Sequence, residues 1–315
     1  MINFTTSSLK PKVAILMCTF NGELYLKEQL DSIKTQDYKN WTLYVSDDGS
    51  TDQTLSILKN YQALWGKDKL HILKGPRQGF QMNFMSLITS KKIHADFYML
   101  CDQDDVWLPK KITIAIHHLH NQDQNCPQLY CGRVSYVTKK LKFIQHSELF
   151  LRPRSFHNAI VQSIAGGNTM GYNNALKKIS MKFPEVKIIS HDWWLYILCE
   201  LSFGQTYYDQ NSFILYRQHE RSLIGANVNL LAKLKRLYML LSGTFIQYNN
   251  CHFEAFSNNP LKCANPKYVH LIDRFYTDRH KDLKTRLKMI RSLGLYRQTT
   301  EGMLALYLAA LLKRL

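Results

Sequence analysis

No stretch of this 315-residue chain reaches the ~18–20 consecutive apolar residues that a membrane-spanning helix needs. The longest candidate, Met303 to Leu312, is about half that length. Residues 1–12 are polar, and the apolar run at 13–18 is short and lacks a cleavage site, so no signal peptide is expected. The seven cysteines (18, 101, 126, 131, 199, 251 and 263) are odd in number and form no CxxC pair. That argues against a disulfide framework or a structural zinc site and for a reducing compartment. Cys18 and Cys101 sit in apolar runs, where a thiol acts as a small hydrophobe. Internal repeats and low-complexity segments are absent, as is an early glycine-rich phosphate loop followed by lysine.

Acidic charge is also scarce. There are 41 Lys+Arg against 24 Asp+Glu, a net of +17. Residues 230–315 hold 15 basic and 5 acidic residues, a net of +10, so the last quarter carries most of the excess. Anionic lipid and nucleic acid both suit such a surface. No recognised nucleic-acid-binding module accompanies it, which disfavours the second. A hydrophobic fraction of 45% is enough to bury the core of one large domain, or of a domain with an appendage.

Apolar runs and amphipathic segments alternate. Strands are expected at 13–18, 41–46, 70–73, 97–101, 134–137 and 205–215. Helices are expected at about 24–33, 53–64, 83–90, from near Pro109, at 191–200, 230–241, within 279–297 and at 303–315. This is the pattern of an α/β domain with a mainly parallel sheet, whose ligand site lies at the carboxyl ends of the strands. The polar clusters fall at those ends: Thr19-Phe20-Asn21-Gly22, Asp47-Asp48-Gly49-Ser50-Thr51-Asp52, and Asp102-Gln103-Asp104-Asp105. Three carboxylates within four positions repel one another unless a cation sits among them. The alternative is an acidic turn whose aspartate caps the next helix.

Together these three motifs resemble the family 2 glycosyltransferases over about residues 11–225. Asp102-Gln103-Asp104-Asp105-Val106-Trp107 with Pro109-Lys110, His191-Asp192-Trp193-Trp194, and Tyr216-Arg217-Gln218-His219 with Gly225-Ala226 resemble its bacterial rhamnosyltransferase branch. The resemblance implies a GT-A-type, Rossmann-like catalytic domain over 1–229, with a nucleotide-binding half at about 11–120 and an acceptor half at about 121–229. A basic helical region would follow at 230–315. It implies an inverting, metal-dependent transfer of a sugar to a glycan or lipid-linked acceptor in bacterial surface-polysaccharide synthesis. The implied donor is dTDP-rhamnose, with a UDP-hexose as the alternative.

Roles follow residue by residue. Thr19, Phe20 and Asn21 would line the base pocket, and Asp48 or Asp47 would accept the imide N–H of uracil or thymine. Arg77 would contact base or phosphate, unless it is a solvated loop charge. Asp104, with Asp105 beside it, would hold Mn2+ or Mg2+, which neutralises the leaving diphosphate. Asp102 would face sugar or ribose. Gly167 would lie near the sugar, and Arg217 and His219 would cover the diphosphate. Asp192 would be the general base that takes the acceptor proton, with N-capping as its structural alternative. Trp193 and Trp194 would divide between core packing and stacking on the acceptor. The chain lacks the Gln-x-x-Arg-Trp form common late in the family, which argues against a processive synthase.

The basic helices at 230–241 and 303–315 are expected to hold the protein at the cytoplasmic face of an anionic membrane. The bland alternative is packing on the catalytic domain. Two further readings compete: a nucleotidyltransferase, and a basic nucleic-acid-binding protein.

Overall fold

The computed structural model describes residues 10–183, 188–219, 239, 241–257 and 265–315. Strand β1 (Val13–Thr19) runs between β2 (Trp41–Asp47) and β4 (Phe97–Cys101), parallel to both, and β3 (Leu70–Lys74) extends the sheet beyond β2. Every residue of β1 is buried, and its side chains alternate between two cores. Val13, Ile15 and Met17 enter one, whereas Ala14, Leu16 and Cys18 enter the other. A near-continuous apolar run is what a strand covered on both faces requires.

Helices α1 (Leu26–Lys34), α2 (Thr54–Trp65) and α3 (Phe80–Ile88) provide the crossovers. Leu26, Leu30 and Ile33 recur at helical spacing and bury the inner face of α1. α3 begins three residues before the expected Asn83, because Gly79 takes φ +88° at its N-cap. β5 (Val106–Trp107) and α4 (Lys111–His120) follow the aspartate motif.

Beyond this parallel half the sheet becomes mixed. β6 (Gln128–Val137) pairs with the edge strand β7 (Phe143–His146), with β8 (Gly171–Asn173) and with β9 (Gln205–Arg217). The order is β3-β2-β1-β4-β8-β6-β9-β5, with β7 on β6. The strand expected at 134–137 is therefore the end of a longer one. Gly132 and Arg133 interrupt its apolar pattern, yet both pair with β9, through a register shift.

Helices α5 (Phe156–Ala159), α6 (Asn174–Ser180) and α7 (His191–Leu201) cover one face of the sheet. All eleven residues of α7 are buried. The tail contributes α8 (Thr244–Ser257), α9 (Pro266–Asp278), α10 (Leu283–Ser292) and α11 (Thr300–Leu311). Asn265, Asp282 and Thr299 cap α9, α10 and α11 through side-chain oxygens. Phe256, Phe275, Met289 and Leu306 share one core with Trp193 and Trp194 of α7. The basic region thus packs on the catalytic fold, as the bland expectation had it. The expected helix at 230–241 and the Gly225-Ala226 pair lie outside the described residues, apart from Met239 and Leu241.

Candidate active site

Parallel register aligns Thr19 with Asp47 and Met17 with Cys101, so the three polar motifs emerge along one sheet edge. Asp47 is committed to turn architecture. Its Oδ2 accepts from the hydroxyls of Thr19 (2.9 Å) and Ser50 (2.6 Å), and its Oδ1 from the N–H groups of Gly49 and Ser50. Asp48 is likewise tied to backbone, but across to the next loop. Its carboxylate accepts from the N–H groups of Arg77 (2.6 Å) and Gly79 (2.9 Å), which orders the loop before α3. Arg77 is itself in the left-handed region at φ 59°, and its side chain lies across Gly49.

Asn21 accepts from Thr51 N–H at 2.9 Å and donates its own N–H to Ser50, stitching the first motif to the second. Phe20 is 55% exposed. Gln103 clamps its backbone through both amide atoms, each at 3.0 Å. The role of Gln103 was not anticipated, because the Asp102–Asp105 motif reads through its carboxylates.

The aspartate loop divides its labour. Asp105 is 0% exposed; its Oδ2 accepts from Asn168 Nδ2 at 2.7 Å and its Oδ1 from Arg217 N–H at 3.3 Å. Both oxygens are thus engaged within the fold, which leaves Asp104 the more available of the two expected metal ligands. Asp104 stands at the rim, its Oδ2 2.8 Å from His219 Nε2. Asp102 is pushed up to about 8, by burial first and then by Asp104 and Asp192, while Lys111 pulls it down. Burial likewise pushes Asp105 well up. Lys111, 2% exposed and held down at about 8 by burial, is an internal counter-charge that the sequence pattern did not reveal.

Arg217 also departs from expectation. It is 1% exposed, and its guanidinium donates to the carbonyls of Asp104 (3.0 Å) and Lys139 and to Glu28 Oε2 (2.6 Å). It stacks over Tyr25 with Cζ 4.5 Å from the ring centroid. These contacts tie Arg217 to the aspartate loop. His219 is the group left beside Asp104 at the rim.

Among the described residues, no group of three or more His, Cys, Asp or Glu side chains is arranged to hold a metal ion. Asp104 and His219 nevertheless supply one carboxylate and one imidazole at the rim, a donor set that suits Mn2+ when substrate phosphates complete the shell.

Asp192 lies in the first turn of α7, with Ser190 at the N-cap. Its Oδ1 accepts from Trp193 N–H at 2.6 Å and its Oδ2 from Gly167 N–H at 3.1 Å. Burial raises it to about 6, more than these hydrogen bonds lower it. A carboxylate at that value is ionised at neutral pH and still basic enough to accept a proton. Asp192 is not the N-cap of α7, which is Ser190, although it does accept from Trp193 N–H in the first turn.

Trp193 and Trp194, expected to divide between core packing and stacking on an acceptor, are both buried in the core. The Trp193 indole donates to Ala159 O at 2.7 Å, and its ring meets His252 edge-on at 4.7 Å. Trp194 is fully buried against Phe183 and Phe256. Burial of α7 on every side, invisible in the His-Asp-Trp-Trp string, decides this.

The sequence profile described as "Glycosyl transferase family 2" matches residues 14–193. A protein of Shigella flexneri named dTDP-rhamnosyl transferase RfbG is 31% identical over 230 residues, covering 70% of this chain and 78% of that protein. Among solved structures, S. aureus TarS 1–349 in complex with UDP-GlcNAc superposes with TM-score 0.55 at 16% identity, over 96% of this chain and 89% of that one. A Pyrobaculum calidifontis mannosyltransferase in complex with GDP-Man and Mn2+ gives TM-score 0.52 at 18% identity, over 98% and 88%.

Proposed function

The chain belongs to glycosyl transferase family 2, and from that premise we propose that it transfers rhamnose from dTDP-rhamnose to a glycan acceptor with inversion at the anomeric carbon. The name of the Shigella relative supports the donor. The observation that supports the mechanism is that one short turn bonds both Asp192 and the aspartate loop.

In this reading Asp192 takes the proton of the acceptor hydroxyl as that oxygen forms its bond to the anomeric carbon. The bond from carbon to diphosphate oxygen breaks on the opposite face, and the nucleoside diphosphate leaves with the electron pair. Asp48 and the Thr19–Asn21 segment receive the base, with Arg77 at its edge. Asp102 faces the sugar, with Gly167 nearby. Asp104 and His219 would hold a divalent cation, which supplies charge neutralisation of the departing diphosphate when bound. Arg217, through the Asp104 carbonyl, holds that loop in place.

A UDP-hexose is the alternative donor, because sugar choice rests on few contacts. Assays with dTDP-rhamnose and UDP-hexoses discriminate the two. Release of dTDP supports glycosyl transfer, whereas pyrophosphate would indicate nucleotidyl transfer. An anionic membrane is the proposed setting, with a lipid-linked glycan as acceptor. Supporting it, Leu304 is 67% and Leu311 52% exposed on α11, next to exposed Lys313. No helix among the described residues is long and apolar enough to cross a membrane. Sedimentation with anionic and neutral vesicles tests this.

A further inference from the structure

His191, the residue before Asp192, has no role in the chemistry above, yet it is 4% exposed. Its ring stacks on Phe84 of α3, with centroids 4.0 Å apart and planes 20° apart, and Phe80 meets it edge-on at 6.2 Å. The Nε2 edge of the ring lies close to Gly167: a Cβ at 167 would collide with His191 Nε2. Neither ring nitrogen has a hydrogen-bond partner. Burial lowers its pKa to about 3, so the ring is neutral at any working pH. A buried imidazole without partners acts through its shape.

We propose that His191 is a positioning residue: its ring, wedged between Phe84 and Gly167, holds the Gly167–Thr169 turn so that Gly167 N–H meets the base carboxylate. This rests on Asp192 being that base. The same turn carries Asn168, whose amide holds Asp105. One wedge therefore sets both the base and the aspartate loop. Asp192 faces the N–H groups of Gly167 and Trp193, with Asp102 across the cleft. Hydrogen bonds to its charged form favour ionisation, so losing the Gly167 contact raises its pKa.

The test reads Asp192 directly, by carboxyl carbon NMR titration of the full chain, alongside turnover of dTDP-rhamnose. His191→Phe keeps a planar ring stacked on Phe84, though a slightly larger one; it is expected to leave the titration near the wild-type position and turnover within about threefold. His191→Ala is expected to raise the titration by about half a pH unit or more, the size that a lost hydrogen bond produces. Gly167→Ala should act in the same direction. The double variant His191→Ala/Gly167→Ala should be less impaired than Gly167→Ala alone, because the added methyl fills the vacated space. Should His191→Ala fail to fold, His191→Val, whose side chain is too short to reach Gly167, replaces it, with the same expected rise.

An unmoved titration in both His191→Ala and Gly167→Ala overturns the proposal. So does a His191→Phe variant that keeps its Tm but loses turnover as severely as His191→Ala, which would make the imidazole a ligand contact. A wild-type chain inert toward dTDP-rhamnose, with the titration moving as expected, would count against the proposed function and leave the positioning role standing.

Discussion

Gly167 donates its backbone N–H to Asp192 Oδ2 across 3.1 Å, while its neighbour Asn168 donates to Asp105 Oδ2 across 2.7 Å. Two adjacent residues thus fix the spacing between the group assigned to the acceptor hydroxyl and the loop assigned to the leaving diphosphate. A misplacement of about 1 Å between such groups costs about a hundredfold in rate, so a short buried turn is a suitable spacer.

The crowding of Asp102 predicts a specific stability difference. Its pKa in the fold is near 8 against an ordinary value of 3.8. A raised carboxylate binds its proton more tightly when folded, so its contribution to stability is present at low pH and is lost as pH rises from about 4 to about 8. Asp102→Asn should therefore raise Tm relative to wild type at pH 8, by about 2–4 °C per kcal/mol gained. The gain should vanish near pH 4. Comparing variant with wild type is essential, because buried His191 and His252, held down at about 3 and 4, impose the opposite trend below their ordinary range. A Tm gain independent of pH would show that Asp102 is not protonated in the fold.

Two donors at the rim are too few to hold a hard cation tightly without substrate. Calorimetric titration of Mn2+ should give weak binding to the chain alone and clearly tighter binding in the presence of dTDP. Asp104→Asn should remove most of that enhancement and His219→Ala part of it. Tight Mn2+ binding in the absence of nucleotide, or enhancement that survives Asp104→Asn, would contradict the assignment.

Arg217 reaches Asp104, Lys139 and Glu28 from one planar fork, which lysine cannot reproduce. Arg217→Lys is expected to lower stability by about 2–4 kcal/mol, since buried acceptors lose their donors. Glu28→Gln should do much less, because Glu28 is half exposed. Urea denaturation compares the two. Equal effects would mean that the ion pair, and not the contacts to carbonyls, is what Arg217 contributes.

The parallel half of the fold was legible because β1, β2 and β4 are buried on both faces and so read as apolar runs between polar turns. β6 was only partly legible: Gly132 and Arg133 break the pattern, and pairing with β9 carries the strand through them. Helices α8 and α9 were missed, although Asn265 and Pro266 signal the start of α9. At the site, motifs located the aspartates and Asp192 but could not apportion them. Whether Asp104 or Asp105 faces outward depends on Asn168 and Arg217, residues 63 and 112 positions from Asp105. Arg217 looked like a ligand cation because charge is visible in sequence, whereas its burial against Glu28, 189 positions away, is not.

The most direct test of the central claim is release of dTDP from dTDP-rhamnose by the full chain with Mn2+, measured against pH for wild type and Asp192→Asn. Activity in the wild type should rise through about pH 6, where Asp192 loses its proton, and plateau above it. Asp192→Asn should lower kcat by about 10²–10⁴-fold, the usual contribution of a general base, with Tm unchanged or raised. Undiminished turnover in Asp192→Asn, or a wild-type profile with no acid limb near pH 6, would contradict the account.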